Sequence, residues 1–255
     1  MTSVCALVPV YDHERAVGAT VESLRALGLA VILVDDGSGT SCAAVLRRLA
    51  AEDSNVHLLR LVENQGKGAA VMAGLQAAAN TGFTHALQID ADGQHDSSDV
   101  PRFVAAAVSE PRAVICGRPV FDASIPRGRR YLRYLTHAMV WLNTLSFDIP
   151  DSMCGLRVYP LSIVLPVIAA KPPGSRMDFD VEVLVRLHWM GVAMRWIPTR
   201  VRYATDGISH FRLLRDNWLI TVMHTRLFFG MLRRAPRLVA RRLRTVLTST
   251  PGVTT

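Results

Sequence analysis

Residues 85–95 read HALQIDADGQH, and their interpretation decides the rest of the chain. A largely apolar run stops at Asp90 and Asp92, and Gly93 then permits a turn. A short run of this kind bounded by turn residues reads as a buried strand ending in a loop. Working outward, the same grammar recurs: apolar runs end in VPVYDHE (8–14), VDDGS (34–38), LVENQGKG (61–68) and CGR (116–118). Helical patterns at about 14–27, 41–52, 67–80 and 98–109 separate these runs. Strands alternating with helices of ten or more residues predict right-handed βαβ units on a largely parallel sheet. Ligands on such sheets bind beyond the carboxyl ends of the strands, so the polar strand ends should gather along one edge.

The second half is organised differently. A basic segment, IPRGRRYLRYL (125–135), leads into an apolar helix reaching about 147, and the loop DIPDSMCGLRVYP (148–160) follows. A short helix at 161–169 is broken by PPG (172–174), and an acidic-headed helix runs from near Asp178 to Gly191. A strand-like MRWIPTRVRY (194–203) precedes an Arg-rich helical region from about 209 to 246. The expected organisation is a catalytic α/β domain over 1–210, a basic amphipathic helical extension over 211–246, and a disordered tail over 247–255.

Composition narrows the setting. Half of the 255 residues are hydrophobic and 20% are charged, which suits one folded body. The net charge of +8 is carried by arginine, because Lys67 and Lys171 are the only lysines. Such a surface attracts phosphates and anionic lipid. No interleaved aromatic pattern suggests nucleic-acid stacking, so no nucleic-acid partner is expected. Cys5, Cys42, Cys116 and Cys154 show no paired short spacing, and SVCALVPVY lacks the features of an export signal. Reduced thiols in a cytosol-like compartment are therefore expected. The longest late apolar run, 217–232, is interrupted by His224 and Arg226, and no transmembrane segment is expected. Between Trp218 and Val246 the chain mixes Trp, Phe and Leu with seven arginines. Either this helix packs on the domain with a solvated face, or it lies in a membrane headgroup region on the inner face of the cell membrane.

Asp90 and Asp92 flank one residue where a strand frays into a loop. Oxygen ligands of this kind suit Mg²⁺ or Mn²⁺, and no Cys/His cluster is present for zinc. Asp35 and Asp36 either cap a helix with turn residues or accept hydrogen bonds from a base edge or a ribose hydroxyl. ENQGKG resembles a short phosphate loop without the Walker spacing; Lys67 at a helix N-terminus favours an anion, although an ordinary glycine turn reads equally well. Arg118, Arg127, Arg129, Arg130 and Arg133 form either a solvated basic face or a clamp on phosphate oxygens.

The ordered elements VPVY, VDDGS, NQGKGAA, IDADGQH, GRP and DSMCGLR together resemble the family-2 glycosyltransferases with a GT-A fold. The resemblance spans about residues 4–210 and is nearest to the dolichyl- and polyprenyl-phosphate sugar synthases and their bacterial relatives. It implies inverting transfer from a nucleoside-diphosphate sugar. Pro9, Tyr11, Asp35 and Asp36 would frame the nucleoside, while Asp90, Asp92 and Gln94 would hold a metal and the donor diphosphate. Arg118 matches an arginine that faces phosphate in the phosphate-acceptor subgroup. The sequence departs from the family at three places. Tyr-Asn-Glu appears as Tyr11, Asp12, His13, with Glu14 following. The arginine with a serine one helical turn later has no counterpart, since Arg130 is followed by Tyr134 and Arg133 by His137. The residue before Gly155 is Cys154.

Two of these departures fall on the acceptor side and favour a lipid hydroxyl or other lipid-linked acceptor over a polyprenyl phosphate. A hydroxyl acceptor needs a base within hydrogen-bond reach and an anionic phosphate does not. By the resemblance Asp180 occupies the base position, although an acidic first turn of a helix reads equally well, and Asp151 is the second candidate. HFRLLRDNW lacks the Gln-x-x-Arg-Trp motif of processive synthases, which favours transfer of a single sugar. A non-catalytic nucleotide-sugar-binding membrane scaffold on the same fold has no need of the pair Asp90 and Asp92. A dinucleotide enzyme would carry Gly-x-Gly-x-x-Gly after the first strand, and none is present.

Overall fold

Strand β1 (Val4–Val10) is buried along all but its first residue, so it must be covered on both faces. The computed structural model describes residues 1–121, 127–201 and 213–249, with side chains described outside 121–132, 213 and 245–249. It shows how the covering is done. Cys5 and Leu7 face one apolar cluster, and Ala6, Val8 and Val10 face another. The second strand, β2 (Val31–Asp35), divides the same way, with Ile32 and Val34 on one side and Val31 and Leu33 on the other.

β3 (Val56–Arg60), β4 (His85–Gln88), β5 (Val114–Phe121), β6 (Arg157–Pro160) and β7 (Met194–Val201) complete a seven-stranded sheet in the order β3-β2-β1-β4-β6-β5-β7. β6 runs antiparallel to both of its neighbours, and the other pairings are parallel. Helices α1 (Val17–Ala26), α2 (Thr40–Glu52) and α4 (Val100–Ser109) contribute to one face. The other face packs α3 (Lys67–Asn80), α5 (Arg127–Thr144), α6 (Leu161–Ala170), α7 (Phe179–Trp189) and α8 (Leu213–Leu232). The expected α/β architecture with a mostly parallel sheet is therefore present. Its antiparallel β6 lies in a stretch that reads from sequence as loop, because four residues are too few to display a period.

The C-terminal region differs from its sequence reading in two respects. It forms two helices, with α8 followed by α9 (Ala235–Ser249) after a turn at Arg233 and Arg234. Residues 247–249 are helical, beyond the expected boundary at 246, and 250–255 lie outside the described residues. α8 packs on the domain, with Met223 and Leu227 buried in the main cluster with α7. Glu182 of α7, fully buried, accepts from Arg226 of α8 at 2.7 Å and also pairs with Arg186. Among the described residues no helix is long and apolar enough to cross a membrane. The four cysteines are free and buried, and burial pushes the thiols of Cys5, Cys116 and Cys154 up to about 12.

Burial also lowers His85, His188 and His224, the last to about 4. The unfolded chain therefore takes up these protons first, so stability is complete above the ordinary histidine value and declines as pH falls towards 4. Replacing His224, whose Nδ1 lies 3.1 Å from Asn143 Nδ2, by Leu removes the largest of these effects. The expected outcome is that urea unfolding at pH 5 loses on the order of 2 kcal/mol less, relative to pH 7.5, in His224→Leu than in the parent.

Candidate active site

β4 stops at Gln88, and Asp90 and Asp92 follow at its carboxyl end. The Lys67 ammonium lies 2.7 Å from Asp90 Oδ1 and 3.0 Å from Asp180 Oδ2, bridging the end of β4 to the first turn of α7. Burial works against the charge on Lys67, but Asp180 and Asp90 outweigh it and hold the ammonium well above the usual lysine range. Burial likewise pushes Asp90 up, and Lys67 with His95 overcomes this and holds its carboxyl well below the usual range. Asp92 moves the other way: burial, then the neighbouring Asp90 charge, raises its carboxyl. One of its oxygens accepts from the backbone N–H of Gln94.

Glycines make this convergence possible. A Cβ on Gly155 would overlap the Asp90 carboxylate. A Cβ on Gly68 would stand 2.5 Å from Phe179 Cβ and 2.7 Å from the Gly174 carbonyl, so only glycine lets the start of α3 close on the start of α7. Ala69 N–H then donates to the Ser175 carbonyl at 2.9 Å. Gly66 has φ +105°, in the region that favours glycine, and its N–H donates to Asp36.

The sequence-predicted residues separate into groups. Asp90, Asp92, Lys67, Asp180 and Gln94 come together on one edge. Pro9 is buried in β1, Tyr11 is half-buried at its carboxyl end, and Glu14 is half-buried in the turn before α1. Asp35 is fully buried and accepts from Ser38 N–H and Arg60, each at 2.8 Å. Asp36 accepts from Asn64, Gln65 N–H and Gly66 N–H, which latches the NQGKG turn to the end of β2. Asp12 sits at φ 50°, which Asp tolerates better than most residues, and its Oδ1 accepts from Gly39 N–H at the start of α2. Arg118 is exposed on β5. Arg130 lies in the first turn of α5, and its side chain, like those of Arg127 and Arg129, is outside the described residues.

Asp151 is set deep in the loop before β6. One oxygen accepts from Met153 and Cys154 N–H, each at 2.9 Å, and the other pairs with Arg133 and lies 3.4 Å from His137 Nε2. Burial raises its carboxyl, and His137 and Arg133 reverse this to leave it lowered. Arg133, expected at an acceptor phosphate, pairs with Asp151. Asp180 is similarly engaged, with Gln88 Nε2 at 3.1 Å and the Arg157 guanidinium at 3.5 Å on the oxygen opposite Lys67. Sequence reasoning missed Arg157, which is 1% exposed and donates to Tyr159 Oη and to the carbonyls of Asp180 and Ser152. A lone arginine inside the apolar LRVYP was the available signal, because a buried charge must be paired.

Among the described residues no three His, Cys, Asp or Glu side chains converge to hold a metal by themselves. Asp90 and Asp92 nevertheless fit a hard divalent cation completed by phosphate and water oxygens, since both offer oxygen donors. Burial first, and the Asp90 charge second, raise the Asp92 carboxyl, and a cation between the two acids would offset both.

Removing the bridging cation leaves two acids facing each other in a poorly hydrated site. Lys67→Met is expected to lose about 2–4 kcal/mol of stability in urea titrations without ligand, part of it regained on adding Mn²⁺. Gly155→Ala is expected to weaken Mn²⁺ binding with little change in far-ultraviolet circular dichroism, because the added methyl meets the Asp90 carboxylate first.

Residues 5–163 match the model of glycosyl transferase family 2. An undecaprenyl-phosphate mannosyltransferase of Micrococcus luteus is 28% identical over 200 residues, covering 76% of this chain and 82% of that protein. A dolichyl-phosphate beta-glucosyltransferase of Dictyostelium discoideum is 28% identical over 221 residues, covering 74% of this chain and 65% of that one. Among solved structures, glucosyl-3-phosphoglycerate synthase of Mycobacterium tuberculosis, in complex with Mn²⁺, UDP-glucose and phosphoglyceric acid, superposes with a TM-score of 0.62 at 16% identity. That likeness covers 91% of this chain and 79% of the synthase and supports the GT-A fold. The match to the family model over well more than half of the chain, on a sheet that gathers the expected acidic pair at its carboxyl edge, makes this chain a family-2 glycosyltransferase.

Proposed function

We propose that the enzyme transfers one sugar, with inversion, from a nucleoside-diphosphate sugar to a polyprenyl phosphate at the cytoplasmic face of a membrane. The observation that carries this reading is the state of the two candidate bases. Asp180 has both oxygens engaged by Lys67, Gln88 and Arg157, and Asp151 has both engaged by Arg133, His137 and two backbone N–H groups. A carboxylate anchored in this way positions other groups and is ill placed to take a proton. An acceptor that arrives as an anion needs no proton removed. The geometry thus favours the phosphate acceptor over the hydroxyl acceptor that the altered acceptor-side residues favour in sequence. The names of the Micrococcus and Dictyostelium relatives, which specify undecaprenyl phosphate and dolichyl phosphate, agree with this preference.

In the proposed reaction a phosphate oxygen of the acceptor attacks the anomeric carbon from the face opposite the leaving group. The bond from that carbon to the donor diphosphate breaks, and the electron pair leaves with the nucleoside diphosphate. Asp90 and Asp92 would hold a divalent cation, Mg²⁺ or Mn²⁺, which when bound would supply charge stabilisation to that leaving group. Lys67, held between Asp90 and Asp180, would place a second positive charge beside the donor diphosphate. Pro9, Tyr11, Glu14, Asp35 and Asp36 lie along the adjoining strand ends and would frame the nucleoside, with Arg118 and Arg130 on the acceptor side.

Two measurements test the reading. In thermal-shift screens against UDP-, GDP- and dTDP-sugars, one donor is expected to stabilise the protein only with Mn²⁺ or Mg²⁺, and Asp92→Ala should abolish the shift. Stabilisation by no donor would count against it. With a polyprenyl phosphate as acceptor, Asp180→Asn should lower kcat about tenfold with the shape of its pH profile unchanged, as expected for a positioning residue. A loss of about a thousandfold with a changed acid limb would instead identify a base.

A further inference from the structure

We infer that the outward face of α8, with the arginine-rich α9 behind it, is a docking surface for an anionic lipid bilayer, on which the helix lies flat without crossing. The argument uses no substrate and stands apart from the reading of the reaction. α8 is apolar on two opposite sides. Its inner side is set by Met223, Leu227 and Met231, all buried, with Ile220 packed against the core. Its outer side carries Leu214, Trp218, Val222, Phe229 and Leu232, spaced by four, four, seven and three residues and so aligned in one stripe along the helix. Leu214 is 91% exposed, Trp218 69% and Phe229 60%. A helix that served only to cover the domain would need the inner stripe alone.

Charge decides which occupant fits. Residues 213–249 contain eight arginines against one acid, Asp216, so nearly all of the chain's net charge of +8 resides in this segment. Arg233 and Arg237 are exposed immediately after the stripe. α9 adds exposed Val239 and Leu243 on its own outer side. A second copy of the chain seated here would oppose two strongly positive surfaces at close range. An anionic bilayer instead meets the arginines with lipid phosphates while the stripe enters the headgroup–acyl boundary. The segment is also fixed to the domain and not trailing. Arg226 pairs with buried Glu182, the Arg234 guanidinium lies 4.7 Å over the Trp189 ring, and Arg242 donates to the Leu145 carbonyl. Docking would therefore hold the whole domain at a set orientation.

The test is cosedimentation of the full chain with vesicles, in the absence of any donor or acceptor, so that its outcome is independent of the transferase reading. Vesicles of phosphatidylcholine with phosphatidylglycerol should bind the protein, and phosphatidylcholine alone should bind it far less. On binding, tryptophan emission should shift to the blue in the parent and in Phe229→Ser, and the shift should vanish in Trp218→Phe. The double variant Trp218→Ser/Phe229→Ser should unfold at the parent temperature, because both side chains face outward, yet bind vesicles about tenfold or more weakly. Arg233→Gln/Arg237→Gln should weaken binding to the anionic vesicles selectively. Unaltered binding by the Trp218/Phe229 variant would overturn the proposal. So would binding that high salt removes entirely with no emission shift, or lipid-free dimerisation that the same variant abolishes.

Discussion

One ammonium held between two acids from distant parts of the chain is the constraint on which the site depends. Lys67 begins α3, Asp90 ends β4, and Asp180 opens α7 more than a hundred residues after Lys67. Without the lysine, burial would leave two carboxylates facing each other, an arrangement that a folded protein avoids by protonation or by separation. With it, the two halves of the enzyme meet at one edge of the sheet in a defined register. Everything nearby serves that contact. Asp36 latches the turn that delivers Lys67, Gly68 lets α3 approach α7, and Gly155 leaves room for the Asp90 carboxylate.

The antiparallel strand β6 supplies the other half of the arrangement. Because it runs against its neighbours, its beginning lies at the edge where β4 ends, and the loop that precedes it enters the site. Arg157, in that strand, ties Asp180 to the Ser152 carbonyl, while Asp151 in the same loop is gripped by Arg133 and His137 of α5. Arg157, Asp180, Asp151 and Arg133 are thereby fixed by charge pairing inside the protein. On the proposed reading these acids position their neighbours, and none of them takes a proton from the acceptor.

The C-terminal helices answer to two environments at once. The inner side of α8 completes the core beside α7, and Glu182 anchors it only two residues along that helix from Asp180. Its outer side carries the exposed Leu214, Trp218 and Phe229, which the proposed docking on an anionic bilayer would cover. An enzyme whose acceptor is held in a bilayer gains from a surface of this kind, because reaction then needs only lateral encounter along the membrane plane.

The sheet and its acidic edge were legible in the sequence, because strands covered on both faces must be continuously apolar and the residues ending them must turn. HALQIDADGQH, VILVDD and NQGKGAA accordingly located β4, β2, α3 and the residues Asp90, Asp92 and Lys67 within a residue or two. The family was legible for the same reason, since its motifs are local and ordered. What pairs with what was not legible. Asp180 reads in isolation as an acidic first turn or a base, Arg133 as part of a solvated basic face or a phosphate clamp, and RVYP as loop. Their pairings depend on neighbours brought from 18 to 113 positions away, through Asp151 for Arg133 and Lys67 for Asp180. The two-sided character of α8 emerged only once the core had chosen one of its apolar stripes. Periodicity along a chain records which side chains must leave water. Only tertiary contact decides which charges meet and which apolar face is left over.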